Sequence, residues 1–136
     1  MSTILVVTVG GSCQPVITAI TDYQPQYVYF VASEGPRGSK PTVDGAGAPC
    51  KGRTPAEEGP SIVAQTGLTD AQYIVRTVSD PDSLQECYAV IQGVLREAMD
   101  ANPNCRYVAD YTGGTKTMSV ALAMAALEAD WELSLV

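Results

Sequence analysis

The stretch Asp110-Tyr-Thr-Gly-Gly-Thr-Lys-Thr-Met118 decides how this chain is read. Cys105 to Ala109 before it predicts a strand, and Thr115 to Ala129 after it predicts a helix rich in Ala, Met and Leu. A strand that turns into a helix through a tight polar loop is the frame of an anion-binding turn. Gly113 and Gly114 let the backbone approach a ligand and point N–H groups inward. The helix aims its positive end at the same place. Thr112 and Thr115 offer hydroxyls and Lys116 a cation. Together these groups suit a phosphate or a ribose-phosphate backbone; the plainer alternative is a helix-capping turn with an exposed lysine. The helix is apolar on most sides, which predicts deep packing.

Two common nucleotide motifs are absent. A Walker A loop needs its lysine directly after glycine, whereas Thr115 separates Gly114 from Lys116. No Gly-x-Gly-x-x-Gly fingerprint occurs either, so ATP hydrolysis and NAD binding lack support.

Upstream, the pattern of strand, break and helix repeats. Ile4 to Val9 is an apolar, β-branched run, as in a parallel strand buried on both faces, and Gly10-Gly11-Ser12 ends it. Pro15 to Ile20 begins a helix with proline in its first turn. Tyr27 to Ala32 and Gln72 to Val78 are further strands. Ser33 to Pro60, rich in proline and glycine, is expected to be a long irregular loop, flexible over 34–60; Ser61 to Gln65 starts a short helix ended by Gly67. Ser79-Asp-Pro-Asp82 opens a helix, with Asp80 as its cap, that runs to about Ala101. Leu84, Tyr88, Ile91 and Leu95 mark its apolar stripe. Trp131 to Val136 is a fifth strand.

Strands that alternate with helices predict an α/β fold: a Rossmann-like, mostly parallel sheet with helices on both faces, in a single domain over residues 1–136. In such sheets ligands bind beyond the carboxyl ends of the strands. Gly10, Gly11, Ser12 and Gln14 follow the first strand, Ser33 the second, and Thr112 to Lys116 the fourth. They are expected to line one crevice. Arg37, Lys40, Lys51 and Arg53 are four of only eight basic residues, and all lie in the long loop, which fits closure over an anion.

Composition narrows the function classes. The formal net charge of -7 disfavours binding to long nucleic acid, which needs a broad basic surface. The four cysteines form no Cys-x-x-Cys pair and there is no histidine, so a zinc site or a histidine-based triad is not expected. No cofactor or metal is called for. The cysteines are expected to be reduced thiols of a cytoplasmic protein. The N-terminus lacks the form of a signal peptide, and no apolar run reaches the ~20 residues of a membrane helix.

The Asp110–Met118 segment and the Ala-rich helix after it resemble the signature of the CRISPR-associated Rossmann-fold (CARF) domains. Thr8-Val-Gly-Gly-Ser12 is similar to that family's first-strand turn, and Ser33-Glu34 and Ser79 to Asp82 resemble further family segments. The resemblance implies a domain that binds cyclic oligoadenylate, the second messenger of type III CRISPR systems, as a homodimer with one ring across the two-fold axis. Tetra- and hexa-adenylate are the candidate rings. Contacts would fall on Gly10, Gly11, Ser12, Gln14 and Thr112 to Lys116. Binding would control an effector, which could sit in a domain beyond residue 136. Some members also cleave the ring slowly without metal. Here Ser12 would position the attacking ribose 2′-hydroxyl and Lys116 would stabilise the developing charge. Three readings stand: a sensor, a stand-alone ring nuclease, and a small transcriptional or interaction domain on the same fold.

Overall fold

The computed structural model describes residues 1–136 apart from Arg53, and only the backbone of Glu57. Five strands form the sheet: β1 (Thr3–Thr8), β2 (Tyr27–Ser33), β3 (Tyr73–Val78), β4 (Arg106–Asp110) and β5 (Glu132–Ser134). Their order is β3-β2-β1-β4-β5, and every neighbouring pair is parallel. Parallel strands require crossovers, which the helices supply: α1 (Gln14–Tyr23), α2 (Lys40–Asp44), α3 (Ile62–Thr66), α4 (Leu84–Ala101) and α5 (Lys116–Glu128).

Alternation along β1 separates two cores. Ile4 and Val6 face α4 and α5, with Ile91, Leu95, Met118 and Leu122. Leu5 and Val7 face the opposite layer, with Val16, Phe30, Val43 and Ile62. Both sets are fully or almost fully buried, so the expected two-faced α/β sheet is present. The chain builds β2 and β3 on one side of β1 and then crosses to β4 and β5. That reversal places a crevice at the carboxyl ends of β1 and β4.

Several local expectations are corrected. Ser83, not Asp80, caps α4: its hydroxyl accepts from the Glu86 N–H at 3.2 Å, while Asp80 accepts from the Asp82 N–H in the preceding turn. The buried stripe of α4 is Cys87, Ile91, Val94, Leu95 and Ala98, and Leu84 is exposed. Helix α5 is not packed all round. Met118, Ala121, Leu122, Ala125 and Ala126 are buried, but Val120, Met124 and Leu127 face solvent. The long loop is not uniformly irregular. It contains α2, a 3-10 turn at Pro55–Glu57 and an antiparallel bridge between Cys50 and Gly59. Cys13 and Cys50 are joined by a disulfide, against the expectation of four reduced thiols; Cys87 and Cys105 are free. Among the described residues no helix is long and apolar enough to cross a membrane.

Candidate functional site

The two glycine-rich turns meet. The Gly113 carbonyl accepts from the Thr8 hydroxyl at 2.7 Å. A Cβ on Gly113 would lie 2.5 Å from the Thr8 carbonyl oxygen, and one on Gly10 would lie 3.2 Å from the Gly114 nitrogen. Gly114 has φ +87°, a left-handed conformation that glycine adopts without a Cβ clash. Gly113 and Gly114 therefore let the turn after β4 close on the turn after β1. The backbone approach expected towards a ligand is, at these two positions, an approach of the protein to itself.

The other groups of the Asp110–Met118 segment divide between scaffold and solvent. Asp110 is buried, and its carboxylate accepts from the Ser134 hydroxyl at 2.7 Å and the Thr112 N–H at 3.0 Å. The Thr112 hydroxyl accepts from the Val136 N–H at 2.7 Å, tying the turn to the segment after β5. Thr115 caps α5: its hydroxyl accepts from the Met118 N–H at 3.1 Å and donates to the Pro81 carbonyl at 2.7 Å. The cap leaves the first N–H groups of α5, those of Lys116 and Thr117, outside the helix ladder. Lys116 is exposed at this positive helix end.

Beside the turns lies a cavity of about 450 Å³. Of the residues expected to line one crevice, Gly10, Gly11, Ser33 and Thr115 lie on it, and Arg37 and Lys51 bring two of the loop's cations to its wall. Ser12 and Gln14 face a neighbouring cavity of about 530 Å³, which also holds Glu58 and Gln65. Lys51 lines both cavities. Thr112, Gly113, Gly114 and Lys116 line neither. Lys40 is exposed on α2 and lines neither cavity, and Arg53 lies outside the described residues.

Ser33 is engaged in a buried seam. Its hydroxyl accepts from the Ser39 N–H at 2.9 Å, its N–H donates to the Ser39 hydroxyl at 2.9 Å, and that hydroxyl donates to the Val9 carbonyl at 2.6 Å. This seam seats α2 against the end of β1. Sequence reasoning missed the lining residues that follow from it: Ser39, Pro41, Thr42 and Pro49, together with Pro81 and Met118. Ser39 followed by Pro41 is a helix-start signal that could have located α2 within the loop.

Charge is distributed in keeping with an anion site. The ion pairs Arg76–Glu97 and Arg106–Glu132 lie on β3–α4 and β4–β5. Among the described residues, no carboxylate lies within 4.0 Å of the Arg37, Lys51 or Lys116 cations. Glu86 marks the acidic side of the α4 turn. The Asp80 N–H at 2.7 Å and then the Ser79 hydroxyl hold its carboxyl below the usual range. No cluster of three or more potential metal ligands occurs among the described residues.

No protein-family model matches the sequence, and no curated protein matches it. Solved structures do match. Csm6 of Enterococcus italicus, bound to cyclic hexa-2′-fluoro-hexa-dAMP, aligns with a TM-score of 0.70 at 14% identity, over 99% of this chain and 32% of that one. Can2 of Sulfobacillus thermosulfidooxidans, in complex with cyclic tetra-adenylate, aligns at 0.67 and 17%, over 98% and 32%. Protein VC1899 of Vibrio cholerae aligns at 0.71 and 6%, over 98% and 30%. The chain thus spans about a third of the solved chains it matches. The resemblance to CARF domains holds at the level of the fold: this chain has the Rossmann-like α/β fold that these proteins share.

Proposed function

We propose that this chain is a sensor domain for cyclic oligoadenylate in type III CRISPR antiviral signalling, that it binds one ring across a homodimer interface, and that binding governs an effector in a further domain. The observation that carries the reading is the outer face of α5. Lys116, Val120, Met124 and Leu127 are all exposed and recur at helical spacing, so a cation and an unpartnered apolar stripe share one face. A two-fold axis running alongside α5 packs stripe on stripe and sets two Lys116 side chains together at one end. Two cations and two positive helix ends held so close repel each other unless a polyanion lies between them. A cyclic phosphodiester with two-fold symmetry meets that need.

The fold neighbours lend support: Csm6 and Can2, whose structures contain such rings, share this architecture. Gly11, Arg37, Lys51 and Thr115 around the nearby cavity would then receive the parts of the ring that lie off the axis. The chain is incubated with cyclic tetra- and hexa-adenylate, and retention and linear products are measured. Retention without products supports sensing, and failure to retain either ring overturns the reading.

One observation favours the ring-nuclease alternative as a second reading. Ser12 is exposed and lines the 530 Å³ cavity. It is therefore available to orient a ribose 2′-hydroxyl, with Lys116 as the balancing cation. With no histidine in the chain to serve as base, turnover is expected to be slow. Product formation lost in Ser12→Ala, with binding retained, supports that role.

A further inference from the structure

The insertion between β2 and α3 is attached to the β1 turn in two unequal ways. Its first part, around α2, is held by the Ser39 hydroxyl, which donates to the Val9 carbonyl at 2.6 Å, while the Thr42 hydroxyl donates to the Ser39 carbonyl at 2.5 Å and lies 3.3 Å from the Gly10 carbonyl. Its second part, from Gly45 onward, has among the described residues one backbone hydrogen bond to that turn, the Lys51 N–H to the Gly11 carbonyl at a long 3.4 Å. Cys50 also pairs with Gly59 in the antiparallel bridge, but the firm link of this second part to the β1 turn is covalent. The Cys13–Cys50 disulfide joins it to the residue that precedes α1, across 37 positions of sequence. Lys51 follows Cys50 directly and lines both cavities. Both cysteines are nearly buried, and both line the 530 Å³ cavity.

We propose that the Cys13–Cys50 disulfide is a thiol-responsive clamp that holds Lys51 at the rim shared by the two cavities, where it serves as an anion-binding residue. The inference rests on the anionic ligand proposed above. A dithiol reductant opens the clamp: one thiolate attacks a sulfur of the disulfide and the second resolves the mixed disulfide. The reductant leaves as a cyclic disulfide, and Cys13 and Cys50 each take up one proton and one electron. Residues 45–52 then lose their covalent tether to the start of α1 and keep the Cys50–Gly59 bridge and the long Lys51 N–H bond to Gly11, so Lys51 is held less firmly at the site. By linkage, ligand that prefers the closed form makes the disulfide harder to reduce by the same factor that the disulfide tightens the ligand.

The test uses the whole chain, oxidised and dithiol-treated, with mass mapping of blocked thiols to verify each state. Amide hydrogen exchange over residues 45–52 reports the clamp without any ligand, and affinity for cyclic tetra- and hexa-adenylate reports its consequence. Reduction is expected to accelerate exchange in 45–52 while 39–44 stays protected, and to weaken binding by about two- to fivefold, the scale of one exposed cation. Cys13→Ser and Cys50→Ser should each match the reduced protein. Lys51→Ala in the oxidised protein should reproduce the weaker binding without the faster exchange. Unchanged exchange on reduction, or unchanged affinity despite faster exchange, overturns the clamp. If neither state binds either ring while exchange still responds, the proposed ligand fails and the coupling to affinity falls with it.

Discussion

Replacing Gly113 with alanine puts the junction of the two glycine-rich turns to a direct test. The added Cβ would stand 2.5 Å from the Thr8 carbonyl oxygen and 3.5 Å from a methyl of Val16. The Thr8 carbonyl belongs to a buried central strand, so it cannot swing aside as a side-chain tip would. The turn after β4 must move instead. Overpacking of this kind costs about 1–3 kcal/mol. The displaced Gly113 carbonyl also loses the Thr8 hydroxyl, a net loss of about 1 kcal/mol. Gly113→Ala should therefore destabilise the chain by about 2–4 kcal/mol. Gly11→Ala is the matched control: nothing lies within 4 Å of its Cβ position, so it should stay within about 0.5 kcal/mol of the parent. Urea unfolding followed by fluorescence of Trp131, the single and buried tryptophan, measures both under non-reducing conditions. Equal midpoints for Gly113→Ala and the parent would refute the account of the turn.

Other expectations follow from the same contacts. Reducing the disulfide releases a loop of 37 residues in the unfolded chain and should lower stability by about 4 kcal/mol, seen as a lower urea midpoint in dithiol. Burial, and then the hydrogen bond to Asp44, push the Tyr73 phenol up to about 12. Unfolded tyrosine ionises near ~10, so this stabilisation is complete below that pH and disappears as pH rises towards the folded value; the Tyr29 and Tyr88 phenols are also raised, and absorbance titration should show a late component that Asp44→Asn brings down. The Glu86 carboxyl sits below its usual range, so its contribution is complete above the ordinary glutamate pKa of about 4.3 and is lost as pH falls through the folded value. Glu86→Gln should flatten that acid limb, read as the midpoint of urea unfolding between pH 5 and pH 3, on the order of that window.

The sheet was legible because its signals are local. Runs such as Ile4 to Val9 and Tyr27 to Ala32 are apolar on both faces, and each is bounded by turn residues. The position of the crevice followed from topology once the strands were placed. What escaped depends on distant partners. Gly113 read as a ligand-facing glycine because Thr8, the residue it accommodates, lies 105 positions away. The Cys13–Cys50 pairing has no spacing signal, since it depends on how the insertion returns to the start of α1. Helix α5 is apolar around most of its circumference, so periodicity could not distinguish the buried Met118–Leu122–Ala125 face from the exposed Val120–Met124–Leu127 face. Helix α2 was lost within a loop rich in proline and glycine because it has only five residues. Ser12 and Gln14 follow Gly10 and Gly11 closely in sequence, yet with Cys13 they line the neighbouring cavity.

The central claim is a ring shared by two chains, and calorimetric titration of the oxidised protein with cyclic tetra- and hexa-adenylate tests it most directly through stoichiometry. The account predicts one ring per two chains, with affinity reduced at least about tenfold in Lys116→Ala, since each chain loses a charge-assisted contact to the phosphates. One ring per chain, or an affinity indifferent to Lys116, would contradict it.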